Sequence, residues 1–92
     1  MKFKGFQTMI HPGEILLKDF IEPKKLSQRQ FAIQIKWSTK RLNELVLGKR
    51  GISAQSAIEL SRFLGTSPEF WMSLQNQWDL YKYQVKQQNL NR

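Results

Sequence analysis

The sequence predicts an all-α fold: a compact arrangement of five helices, the last of them long. Three observations carry this. Helix-start signals, a capping residue followed by a periodic apolar segment, recur along the 92 residues. No stretch shows the strict apolar–polar alternation of a half-buried strand. Neither an internal repeat nor a long linker divides the chain, so residues 1–92 are expected to form a single domain.

The first helix is expected to open at His11, a mediocre cap. Pro12 stands at N1, where its missing N–H costs nothing. Glu14 at N3 can reach back to the cap, and Ile15 can staple to Ile10. The helix then runs to about Ile21, with Leu16, Phe20 and Ile21 inward, and Pro23 is expected to stop it. The second helix starts at Ser27, with Gln30 completing an S-x-x-Q capping box and Leu26 stapled to Phe31. It ends near Ile35. The third starts at Ser38 and carries Leu42, Leu45 and Val46 on its apolar face, with Gly48 as its stop. Ser53 caps the fourth, whose expected buried stripe is Ala54, Ala57, Leu60 and Leu64, ending at Gly65. Ser67-Pro68-Glu69 opens the fifth, and nothing breaks it before Gln88. The terminal segments 1–8 and 89–92 are expected to fray.

Charge adds a functional clue. There are 15 Lys and Arg against 7 Asp and Glu, a net charge of +8. Residues 24–50 hold eight of the bases and one acid, Glu44, so +7 of the excess lies in that window. Such a concentration points to a polyanion, nucleic acid first. Other classes fall away. Without cysteine there is no disulfide scaffold, Cys-based zinc site or thiol chemistry. The single histidine, His11, cannot build a His-clustered metal site. Gly48–Gly51 lacks P-loop spacing and follows a helix instead of a strand. No apolar run approaches the roughly 20 residues that span a membrane, and no signal peptide is visible. A cytoplasmic, non-enzymatic protein without cofactor or metal is expected, with no membrane partner.

The basic window coincides with a motif. Between about residues 27 and 47, two short helices are joined by about three residues, a spacing that forces them to cross steeply. Ala32 supplies the small side chain such a crossing needs. This is the helix-turn-helix pattern, and it resembles the phage-repressor (XRE-like) DNA-binding domains. One departure is Lys36, at a turn position commonly filled by glycine; a left-handed non-glycine residue there costs on the order of 1 kcal/mol.

Roles follow from that geometry. The second helix of the motif enters the major groove. Its exposed residues Thr39, Lys40, Asn43 and Glu44, with Arg41 on the flank, are the expected base contacts. Lys40 or Arg41 would donate to guanine, and Asn43 would pair with an adenine edge. Glu44 either accepts from cytosine or only pairs with Lys40 or Arg41 on the helix surface. Phosphate contacts are expected from Gln28 and Arg29 on one side and from Lys49 and Arg50 on the other.

The fifth helix, about residues 67–88, would be about 33 Å long, more than a domain of this size needs. Phe70, Leu74, Trp78, Tyr81 and Val85 form its stripe, with Trp71 and Tyr83 beside it. Its second half either packs back on the first helix or meets a second copy. Trp78, Tyr81 and Val85 are therefore the expected homodimer interface.

Several short motifs occur in order: His11-Pro12-Gly13-Glu14, Leu26-Ser27-Gln28, Leu42-Asn43-Glu44-Leu45-Val46, Gly48-Lys49-Arg50-Gly51-Ile52-Ser53, Gly65 to Trp71, and Leu74-Gln75. Together they resemble the HigA-type antitoxins, the virulence-associated protein I-like regulators, over about residues 9–83. Leu47 departs from the polar residue usual there. The resemblance implies a toxin–antitoxin module: binding to a HigB-type mRNA endonuclease toxin, and repression of its own operon at a palindromic operator in double-stranded DNA. Two other readings stand beside it, a free-standing transcriptional regulator and a protein-interaction module that has lost DNA binding.

Overall fold

Local chemistry places the helix boundaries of the computed structural model, which describes residues 9–90, with side chains to residue 87. Among the described residues there are five helical segments and no strand. The first, α1, opens as α-helix over Pro12–Ile15, widens to π-helix over Leu16–Ile21 and closes with a 3₁₀ turn over Glu22–Lys24. Then come α2 (Gln28–Ile35), α3 (Thr39–Val46), α4 (Ala54–Leu64) and α5 (Pro68–Leu90). The expected caps are in place. Ser27, Ser38, Ser53 and Ser67 each accept the N–H three residues on, at 3.0–3.1 Å. Gln30 completes the capping box by accepting the Ser27 N–H at 2.9 Å.

The start of α1 differs in detail. His11 closes the cap with its own ring: Nδ1 accepts the Gly13 N–H at 2.9 Å. Glu14, expected to reach back, is exposed. The helix also does not stop at Pro23. Pro23 sits in the first turn of the 3₁₀ segment, where an absent donor breaks no bond. Lys25, left-handed at φ 60°, ends it instead.

Left-handed residues terminate α2 and α3 as well. After α2, Lys36 has φ 65°; its N–H reaches Ile33 O at 3.2 Å and the Trp37 N–H reaches Ala32 O at 2.9 Å. After α3, Gly48 has φ 77°, with Gly48 N–H on Leu45 O and Lys49 N–H on Glu44 O. Both are Schellman caps, which satisfy two orphan carbonyls each. The expectation for Lys36 thus holds: a lysine occupies the glycine position, in the strained conformation.

The core lies where all five helices meet. Leu16, Ile21, Phe31, Ala32, Leu42, Leu45, Leu60 and Trp71 are essentially solvent-free. Trp71 also satisfies its indole N–H on Thr66 Oγ1 at 2.7 Å. Two stripes are rotated from expectation. In α4, Ala54 is exposed and Leu64 half-buried, while Ser56 and Ser61 join Ala57 and Leu60 inside. Hydrogen bonding makes this possible: Ser61 donates to Ala57 O, and Ser56 takes Arg41. In α5, Trp71 is the buried anchor; Phe70 lies at the edge, against Phe20.

Gly13 lets α1 approach α3 closely. A Cβ on Gly13 would land on the Leu45 carbonyl oxygen, so glycine is required by space. The molecule measures 46 × 24 × 23 Å, and the 23 residues of α5, about 34 Å long, account for the long axis.

Candidate nucleic-acid interface

The short turn between α2 and α3 sets the two helices across each other, and Ala32 of α2 is fully buried. That crossing leaves Thr39, Lys40 and Asn43 exposed on the N-terminal half of α3. Ser27, Gln28 and Arg29 of the neighbouring helix start line the same open groove. Gln28 Nε2 donates to Asn43 Oδ1 at 3.3 Å, which orients the Asn43 amide across the groove. Because Ser27 and Gln30 cap each other, the Gln28 and Arg29 backbone N–H groups remain at an open helix start, a setting that suits a phosphate.

Two of the expected base-contact residues are placed otherwise. Arg41 turns back to α4. Its guanidinium carbon lies 3.9 Å from the Trp37 ring centre, and Nη2 donates to Ser56 Oγ at 2.8 Å and to Glu59 Oε1 at 3.0 Å. Glu59 also accepts from Trp37 Nε1 at 2.7 Å and from Gln55 at 3.0 Å. Hydrogen bonds from Gln55, then Trp37, then Arg41 hold its carboxyl below the usual range. Arg41 is thereby an anchor between α3 and α4, turned away from exposed Thr39, Lys40 and Asn43. The sequence spacing of Arg41 is right for the flank of α3; the residues that capture it lie 15 and 18 positions away.

Glu44 pairs, but with neither Lys40 nor Arg41. Arg50 folds back from the loop after α3 and takes Glu44 Oε1 through both Nη2 and Nε. That bond, with the nearby charges of Arg50, Lys40 and Lys49, holds the Glu44 carboxyl below its usual range. Lys49 is exposed beside them. The phosphate-contact candidates therefore split: Arg29 and Lys49 are exposed, Gln28 is half-buried with its amide on Asn43, and Arg50 already has a carboxylate.

On α5, Trp78 packs edge-on against His11 at 5.3 Å between ring centres, and Tyr81 tilts onto Trp78 at 5.7 Å. Trp78, Tyr81 and Val85 are half-buried within the chain. Further out, Leu80 and Tyr83 are about three-fifths exposed. The sequence reading missed Gln75, a buried amide of α5 that accepts the Ile52 N–H at 2.6 Å.

Helix crossing, open groove and flanking cations define a helix-turn-helix protein. The helix-turn-helix family profile matches residues 17–71, and the chain belongs to that family, among its HigA-type and virulence-associated protein I-type members. Virulence-associated protein I of Dichelobacter nodosus is 37% identical over 88 residues, spanning 96% of this chain and 82% of that protein. An uncharacterized HTH-type transcriptional regulator of Escherichia coli K12, YddM, is 33% identical over 69 residues, 75% of this chain and 72% of that one. The fold superposes on the Pseudomonas aeruginosa antitoxin HigA, solved with the higBA promoter, at a TM-score of 0.83 and 37% identity, covering 91% of each chain. Among the described residues no helix is long and apolar enough to cross a membrane.

Proposed function

We propose that the chain is a dimeric, autoregulatory antitoxin of the cytoplasm. It binds a palindromic operator in double-stranded DNA and neutralises a HigB-type mRNA endonuclease toxin. The observation that carries the DNA half is the groove at α2–α3: Thr39, Lys40 and Asn43 are exposed together, beside Gln28 and Arg29, in the most basic part of the chain. In this reading Lys40 donates to guanine and Asn43 pairs with adenine. Glu44 is neutralised by Arg50. Gln28, Arg29 and Lys49 hold phosphates. A second copy joined through Tyr81, Val85 and the outer face of Trp78 sets the two α3 helices about 34 Å apart, one turn of duplex.

The toxin half is supported by likeness to antitoxin HigA. The same interface would serve a free-standing regulator, a reading favoured by the relative named as one. Co-expression with the adjacent gene separates the two. The antitoxin reading predicts a stable complex with a small protein whose mRNA cleavage stops on binding; failure to bind or inhibit it favours the free-standing regulator.

A further inference from the structure

The loop between α3 and α4 carries the cations Lys49 and Arg50, and its two ends are held differently. Its upstream end is fixed by the Schellman cap at Gly48. Its downstream end is fixed from outside, by α5. Gln75 is buried, and its Oε1 accepts the Ile52 backbone N–H, 23 residues away, at 2.6 Å. Its Nε2 donates to Asp79 Oδ1 at 3.0 Å, which fixes which end of the amide faces the loop. Gly51 lies flush against the same amide: a Cβ there would sit 2.9 Å from Gln75 Cδ, Nε2 and Oε1. Gly51 is not left-handed, so its small size answers to this contact and not to backbone conformation.

We infer that Gln75 is a positioning residue for DNA binding, holding the Lys49–Arg50 loop in place from α5 without touching the duplex itself. The inference rests on the DNA-binding reading above. A leucine at this position leaves the Ile52 N–H without its acceptor and frees the downstream half of the loop. A buried donor then seeks another partner, and the loop moves to supply one. Lys49 displaced from its phosphate no longer releases counterions, which lowers the salt slope by about 0.9. Base discrimination, which resides on α3, is untouched.

The test compares the full chain with Gln75→Leu, with Gly51→Ala, and with the exchange pair Gln75→Glu plus Asp79→Asn. The exchange pair keeps an acceptor for Ile52 and reverses the partner bond. Binding to the promoter duplex and to an unrelated duplex is titrated at several salt concentrations, and Ile52 amide exchange is followed by NMR. Expected for Gln75→Leu and Gly51→Ala is a fall of about tenfold on both duplexes, a shallower salt slope and faster Ile52 exchange. The exchange pair should return to within about twofold of the parent affinity. If Gln75→Leu does not fold, Gly51→Ala and the exchange pair decide. Unchanged affinity and slope in folded variants, or no rescue by the exchange pair, overturns the inference while leaving the DNA reading intact. A parent protein that binds neither duplex overturns the DNA reading and this inference with it.

Discussion

Arg50 grips a single oxygen of Glu44, with Nη2 at 2.6 Å and Nε at 3.1 Å. The pair joins the only acid of the 24–50 segment to one of its eight bases. Near a phosphate backbone an unpaired carboxylate repels, so Arg50 acts first on Glu44. Arg50→Ala should weaken binding to operator and unrelated duplex alike, by about tenfold. Glu44→Gln should do the reverse on unrelated DNA, strengthening it and narrowing the operator preference. Fluorescence titrations of the two variants check both signs.

Gly13 has no room for a side chain. Gly13→Ala drives a methyl into the Leu45 carbonyl and pushes α1 off the groove-facing helix. Overpacking of this kind costs about 1–3 kcal/mol, and a backbone obstacle belongs at the upper end. A thermal melt should show a fall of roughly 10 °C or more.

His11 makes stability pH-dependent. Its Nδ1 must be unprotonated to accept the Gly13 N–H. Burial first, then the charge of Lys82, lowers its proton affinity from the ordinary value of 6.5, while Asp79 and Glu14 oppose them. The folded state therefore binds the proton more weakly than the unfolded state. The stabilisation is complete above the ordinary imidazole range and is lost as the pH falls through and below it. Urea midpoints should drop between about pH 7.5 and 5.5. His11→Asn, which keeps a capping acceptor that does not titrate, should flatten that drop.

Lys36 carries strain. With φ at 65°, it occupies a conformation that glycine adopts freely. Lys36→Gly should stabilise the fold by about 1 kcal/mol, raising the melting temperature by about 4–8 °C. A lower melting temperature would mean that the lysine side chain contributes more than its backbone costs.

What was legible in the sequence follows the range of each interaction. Ser27, Ser38, Ser53 and Ser67 announce their helices because a cap acts over three residues. Lys36 is legible as left-handed because the turn between two short helices demands it. The π and 3₁₀ turns of α1 were not legible, because they reflect how that helix fits the core around Leu16 and Ile21. Long-range partners were hidden too. Arg41 has the right spacing to face a groove, yet Trp37, Ser56 and Glu59 take it. Gln75 enters the sequence reading only through the Leu74-Gln75 motif, because its partner Ile52 lies 23 positions away. In α5, periodicity identifies a stripe but not its phase, so Phe70 and the truly buried Trp71 exchange roles.

DNA reading rests on the groove at Thr39, Lys40 and Asn43, and a footprint on the promoter upstream of the coding sequence tests it most directly. The parent protein should protect two half-sites about one helical turn apart. Lys40→Ala combined with Asn43→Ala should remain folded by circular dichroism and lose the preference for that site over unrelated DNA. The same footprint from the folded double variant would contradict the assignment of α3 as the reading helix.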